Sequence, residues 1–404
     1  MATISSTGIG SGLDVNGIVG QLMAFEARPL SVLRSAKSGL NTQLSAIGGL
    51  QSRMSALRDA ASALTSLTLW GQRVGTSADP AAVRVSTGSG AAAGSYAVQV
   101  AQLASAQTVA SRSFAGSDAQ LGTGTLTIEL GSWVGEPSPT GFTPKAGSSA
   151  IEITIEEGQT SLAAIRDRIN AAGAGVTASI VNDASGARLA LRSSETGEVN
   201  AFRISVVEDD DDGIADQGLS ALAYDALAAS PMQRTQVAAN AMATVNGIDV
   251  TSASNTFDGV ADGMSLTVQK LTAAPVEVSI VPDTEAVRTA ITKFVEAFND
   301  VARYIRDQTK YDEASKKGGT LQGDRVVVTL QWQLRGLFNQ DSSASEAFAR
   351  MSDIGIAFKA DGTLETKSSA LDNALANLPE LRKLLAGEGE DFGGTGFAER
   401  VRGF

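Results

Sequence analysis

The chain has 404 residues, enough for roughly two to four domains that each bury a core. Its net charge of −12 opposes a phosphate backbone, so no nucleic-acid partner is expected. Cysteine and histidine are both absent, which excludes disulfides, thiolate catalysis and the commonest metal ligands, so neither enzyme activity nor a cofactor is expected.

Residues 1–12 are rich in Gly, Ser and Thr, with no basic leader and no long apolar core, and read as a flexible segment without a cleaved signal peptide. No apolar run approaches about 18 residues, so no membrane span is expected. Asp14 is placed to cap a helix reaching about Glu26, whose Val15, Ile18, Val19, Leu22 and Met23 recur at spacings of three and four and line one face. That face needs a cover, and the loose leader lets it find one in another molecule. A lipid surface suits it poorly, because Asp14 and Glu26 are its only charges. Pro29 suits the first turn of a second helix running to about Leu67, with a weak point at Gly48-Gly49. Along it Leu33, Leu40, Ile47, Met54 and Ala61 stand seven apart, reinforced by Leu44, Leu50, Leu57 and Leu64, which predicts coiled-coil-like packing.

After Trp70-Gly71 the period changes to two. Val83 and Val85, then Tyr96, Val98 and Val100, alternate as half-buried strands do, and further strands are expected at 124–130, 150–156, 176–181, 187–192 and 202–207. A helix over 160–171, capped by Thr160 or Ser161, turns Leu162, Ile165 and Ile169 inward; 132–149, with three prolines, reads as a loop. The Ala-rich stretch 219–240 has no clear period, and strands resume at 243–246, 248–251, 264–270 and 275–281, the first two joined by an Asn246-Gly247 hairpin turn.

A helix capped by Asp283 or Thr284 then runs to about Gln308 and carries a second seam, Val287, Ile291, Phe294, Phe298, Val301 and Ile305. Asp324 starts another, with Val327, Leu330, Leu334 and Leu337 inward. A hairpin turns at Asp361-Gly362, and a last helix covers 368–386. The Gly-rich end from Gly387 to Phe404 has no closing apolar pattern and reads as cut off.

Few residues suggest chemistry. Glu208, Asp210 and Asp212, followed by Gly213, have the alternation of a calcium loop, but position twelve is Leu219, so a solvated acidic turn is the better reading and no metal is expected. No phosphate-binding glycine loop occurs. Ser194-Glu195 and Lys316-Lys317 read as loop residues, and Lys37 as a surface charge.

Gly8-Ile-Gly-Ser-Gly-Leu-Asp-Val15, Tyr96-Ala-Val-Gln-Val100 with Gln102-Leu103-Ala104 and Gln107, and Val245-Asn-Gly-Ile248 with Ser254-Asn255 occur in this order. Phe294-Val295 with Phe298-Asn299, Thr309-Lys-Tyr-Asp312, Leu321-Gln-Gly-Asp324, Ile354-Gly-Ile356 and Asp361-Gly-Thr-Leu364 follow. Together they resemble the flagellar filament cap family, hook-associated protein 2. The resemblance implies an extracellular, non-enzymatic assembly factor at the flagellum tip, exported through the flagellar type III apparatus with an export chaperone. It implies a ring-like homo-oligomer, a pentamer on the filament, that promotes flagellin polymerisation and prevents monomer leakage; the alternative is a tip adhesin binding host glycans.

The fold class this implies is multidomain α+β: a coiled-coil-like helical leg made by both chain ends, with two nested antiparallel β-rich head domains between. Residues 1–32 would be the flexible segment with the docking helix and 33–74 plus 283–404 the leg with a small hairpin. Residues 75–118 plus 235–282 would form one head domain and 119–234 the second. Val15, Ile18, Val19, Leu22 and Met23 become the filament-docking face. A further heptad-patterned helix would follow Phe404.

Overall fold

A computed structural model describes residues 14–88, 90–209, 218–314, 316–389 and 393–403. Its helices are α1 Val15–Thr65, α2 Leu67–Gly71, α3 Leu162–Ala172, α4 Thr284–Thr309, α5 Arg325–Asn339, α6 Ser368–Leu375, α7 Leu378–Ala386 and α8 Phe397–Arg402. The chain divides into two compact units, one formed by its two ends up to Gln72 and from Asp283, the other by Arg73–Pro282. This is a multidomain α+β architecture with antiparallel sheets inserted between helical ends.

In the helical unit α1 and α4 pack antiparallel. At one end the Asp283 amide donates to the Gln72 carbonyl; at the other the Tyr304 hydroxyl donates to the Ala46 carbonyl at 2.9 Å. Leu50, Leu57, Ala61 and Leu64 of α1 meet Val287, Ile291, Phe294, Phe298, Val301 and Ile305 of α4, all buried. Each large side chain contributes about 1.5–3 kcal/mol by leaving water. Helices α5, α7 and α8 close the core with Leu334, Phe338, Leu384 and Phe397. The Asp283 carboxylate accepts from the Ala286 amide, and that of Asp324 from Val326 and Val327, so both expected caps are in place.

Four expectations change here. There is no helix start at Pro29, because α1 is one 51-residue helix with Pro29 inside. The turn around Pro29 is exposed, so water can satisfy the carbonyl that proline leaves free. Gly48-Gly49 is no weak point: a Cβ on Gly49 would stand 2.5 Å from the Tyr304 hydroxyl, so this glycine permits close helix packing. The expected 368–386 helix is two helices, since Pro379 cannot donate to the carbonyl of Leu375 and its ring would clash there. The end of the chain does carry an apolar pattern, with Phe397, Ala398 and Val401 of α8 buried.

Two side chains fasten this unit. Asn299, buried on α4, donates to the Leu364 carbonyl at 2.9 Å and accepts from its amide at 2.6 Å, holding the edge of the Ile356–Phe358/Leu364–Thr366 hairpin. Asn299→Ala is expected to cost about 2–4 kcal/mol, since two buried backbone groups lose their partner; an unchanged urea midpoint would contradict this. Glu380 of α7 accepts from the Ser345 hydroxyl, the Glu346 amide and Lys383, and these hold its carboxyl down at about 2 against an ordinary 4.5. A depressed carboxyl stabilises the fold above its unfolded value and loses that contribution as pH falls through the folded one. The loss of stability between pH 4.5 and 2 is therefore expected to be shallower in Glu380→Gln, read from urea midpoints at stepped pH.

The inserted unit has two apolar cores. In the first, a five-stranded antiparallel sheet runs in the order 73–77, 276–282, 94–102, 241–245, 248–252, and a three-stranded sheet joins 256–261, 264–268 and 83–87. Val83, Val98, Val100, Leu266, Val278 and Ile280 fill it. The hairpin at Asn246-Gly247 has both residues at positive φ, 50° and 80°, as a tight two-residue turn requires.

The second core lies between two four-stranded sheets, 201–208, 124–134, 141–144 and 151–155, and 233–236, 108–110, 186–193 and 176–183. Helix α3, capped by the Ser161 hydroxyl, adds Leu162, Ile165 and Ile169. The loop expected over 132–149 instead holds the end of one strand and all of 141–144, because Trp133 is buried with its ring 4.6 Å from that of Phe142. Val109 and Phe114, grouped by sequence with the first core, pack in the second, since 108–110 pairs with 186–193. The Ala-rich stretch contributes Leu219, Ala221 and Leu222.

Candidate functional site

The first three-fifths of α1 has no cover within the helical unit. Asp14 caps it, its carboxylate accepting from the Gly17 amide at 2.8 Å. Val15 opens the helix. Ile18, Val19, Leu22 and Met23 follow on one face, exposed by 45, 51, 60 and 67%. Burying them would be worth about 1.5–3 kcal/mol each, and leaving them in water forgoes that. Phe25, Leu30 and Val32 are exposed as well. None of the three falls among the positions that the sequence spacing singles out.

The α1 seam is packed over only part of its length. Leu57 and Leu64 are buried and Met54 half-buried, whereas Leu33 and Leu40 are each 65% exposed and Ile47 lies at the boundary. The reason is length: α4 ends at Thr309, about a turn and a half past Tyr304, whose hydroxyl reaches the Ala46 carbonyl, and its buried seam stops at Ile305, so Leu40 is left uncovered among the described residues. The α4 seam, by contrast, is wholly buried from Val287 to Ile305. Between α1 and α5 an apolar groove opens, lined by Ile47, Leu50, Met54, Val326, Leu330 and Val401.

The other residues singled out carry no reactive arrangement. Lys37 stands on the exposed helix, and Lys317 lies in a short strand against Tyr311–Asp312. Glu208 accepts from the Ser220 amide at 2.6 Å; the rest of the candidate calcium loop, from Asp210, lies outside the described residues, as does the segment 1–12.

The amides among the shared motifs have a common use. Asn246 accepts from the Ala97 amide at 2.8 Å, and Asn255 from that of Ala104 at 2.8 Å, so the 94–102 strand is tied, within it and just past its end, to residues about 150 positions later. Gln107, fully buried, donates to the Phe202 carbonyl and accepts from the Trp133 indole. Each amide satisfies a main-chain or ring group that would otherwise be unpaired.

Three families match: the flagellar hook-associated protein 2 N-terminus at residues 11–107, its C-terminus at 238–404, and the flagellin hook IN motif at 140–195. Flagellar hook-associated protein 2 of Escherichia coli K12 is 34% identical over 98% of this chain and 83% of its own length. The B-type flagellar hook-associated protein 2 of Pseudomonas aeruginosa is 30% identical over 98% of this chain and 82% of its own. The crystal structure of the D1-D2-D3 domains of the Escherichia coli flagellar cap protein FliD superposes with a TM-score of 0.65 at 29% identity, over 89% of this chain and 94% of that one. With the matched families at both ends and that identity across nearly the whole chain, this protein belongs to the flagellar hook-associated protein 2 family, the FliD cap proteins.

Proposed function

We propose that the chain caps the distal end of a bacterial flagellar filament, as a structural protein rather than an enzyme, and that Val15, Ile18, Val19, Leu22 and Met23 are the face that docks into the filament end. The observation that carries this is the exposed apolar face of α1 on a unit whose other seam is fully buried. A solvated face of this kind gains its stabilisation only when a partner covers it. In this reading the helical unit anchors the subunit, and copies assemble as a ring, a pentamer on the filament. Flagellin is retained and guided into place, and the subunit reaches the tip by type III export with a dedicated chaperone. No helix among the described residues is long and apolar enough to cross a membrane. None of the relatives above is named for adhesion, and the adhesin alternative finds no support in them. The test is deletion of the gene: the strain should shed flagellin monomer into the medium and recover filaments when the chain is supplied again. Normal filaments in the deletion strain would refute capping.

A further inference from the structure

We infer that Asn16 is a site of spontaneous chemical modification, at which the side-chain amide is lost and the first turn of α1 acquires aspartate or isoaspartate. The step requires the main-chain nitrogen of the next residue to reach the side-chain carbonyl carbon, and glycine hinders that nitrogen least. Only Asn16 and Asn246 are followed by glycine, and both lie in the same tetrapeptide, Val-Asn-Gly-Ile, at 15–18 and 245–248. At Asn16 the Gly17 nitrogen bonds to Cγ and gives up its proton, the Cγ–Nδ2 bond breaks, and ammonia leaves with that proton. Water then opens the cyclic imide at either carbonyl. One product is aspartate; the other is isoaspartate, in which the main chain runs through Cβ and Cγ.

The fold treats the two copies of the tetrapeptide differently. Both asparagines are exposed, so access of water does not separate them; the main chain does. Asn246 holds a left-handed φ of 50°, a conformation that puts the following nitrogen on the far side of the residue from Cβ. Its Oδ1 accepts from the Ala97 amide at 2.8 Å, and its own amide donates to the Ala97 carbonyl at 2.9 Å. The Gly247 nitrogen therefore meets Cγ only after the hairpin and its tie to the 94–102 strand have opened.

Asn16 stands where a helix restrains its chain least, because the leading N–H groups have no carbonyl one turn back to bond. The first main-chain bond of α1 runs from the Ile18 amide to the Asp14 carbonyl. One position earlier, the Gly17 amide has a single hydrogen bond among the described residues, to Oδ1 of Asp14 at 2.8 Å. A side-chain carboxylate, rather than a helix carbonyl, thus restrains the attacking nitrogen. Glycine belongs to the same arrangement, since a Cβ at 17 would stand 2.3 Å from Oδ2 of Asp14 and push the cap aside. The residue that admits the cap is also the one that leaves the nitrogen open to reaction. Such a turn opens without disturbing the buried core. Conversion adds a negative charge and, as isoaspartate, one more main-chain atom between Val15 and Gly17, which takes the Gly17 amide out of register with its cap.

The test incubates the full purified chain at mildly alkaline pH for several days and follows both tetrapeptides by mass spectrometry of tryptic fragments. Because the two are identical in sequence, a difference in rate reports the fold alone. Asn16 is expected to convert at least roughly tenfold faster than Asn246, which reacts only from an opened hairpin. Isoaspartate should accumulate alongside aspartate, the mark of the imide. In urea beyond the unfolding midpoint the two rates should converge. Asp14→Ala should raise the Asn16 rate roughly fivefold by removing the cap, whereas Asp14→Asn keeps an acceptor oxygen and should match the parent. Aspartate without isoaspartate would show direct hydrolysis by water and overturn the proposal. So would Asn246 reacting as fast as Asn16 in the folded chain, rates that stay apart in urea, or an Asn16 rate that Asp14→Ala leaves unchanged.

Discussion

Replacing Phe338 by alanine is expected to remove about 3–5 kcal/mol of stability from the helical unit, the largest loss anticipated for any single side chain discussed. Phe338 is 6% exposed and sits at the centre of a ring cluster, its centroid 4.8 Å from Phe298, 5.9 Å from both Phe294 and Phe358, and 6.3 Å from Phe397. Truncation forfeits the transfer of the ring from water and leaves a cavity whose walls belong to α4, α8 and the short hairpin, three elements that cannot all move inward together. Edge-to-face pairs add about 0.5–1.5 kcal/mol each beyond burial. Against a total of about 5–15 kcal/mol for a typical domain, the variant would be marginal. Trp332, six residues earlier on α5, provides the comparison: it is 69% exposed, and Trp332→Ala should lie within about 0.5 kcal/mol of the parent. Urea midpoints decide both, and a Phe338→Ala midpoint equal to that of Trp332→Ala would refute the account of the cluster.

Val19→Asp with Leu22→Asp is expected to abolish swimming while leaving the fold unaltered. Both side chains are at least half exposed, so replacing them removes no internal contact. In the docked state the outcome differs. Two apolar side chains worth about 1.5–3 kcal/mol each would be exchanged for charges that must be desolvated, so the affinity of each subunit falls by roughly two to four orders of magnitude. The measurement is complementation of the deletion strain with the double variant, scored by swimming and by flagellin in the medium, alongside the urea midpoint of the purified chain. Swimming equal to the parent would show that docking lies elsewhere.

Periodic segments were legible in the sequence to within a few residues. The α4 seam, the strands around Val98 and Ile204, α3 and the Asn246-Gly247 turn all follow from spacing and capping chemistry that depend on neighbours in the chain. Short strands were not legible: 73–77, 108–110 and 233–236 owe their conformation to remote partners such as 276–282 and 186–193. Phe338 is not singled out by spacing because it packs one position beyond Leu337, where α4, α8 and the short hairpin converge rather than one helix face. On α1 the apolar pattern was visible from Val15 to Leu64, but pattern cannot say where cover ends. That boundary is set by the length of α4, a helix more than two hundred residues away.

The ties between Ala97 and Asn246, 149 positions apart, and between Ala104 and Asn255, 151 apart, bear on how the inserted unit closes. In an unstructured chain each is a long loop whose closure opposes folding through lost entropy. The second core, however, draws its residues from one continuous stretch, Val109 to Ala238. Once that stretch is compact, the ends bearing the 94–102 and 241–245 strands emerge from a fixed body, and the closure left to make spans a few residues on either side. The nested arrangement thus converts a remote strand pairing into a local one, and the two asparagines act at the point where the chain returns.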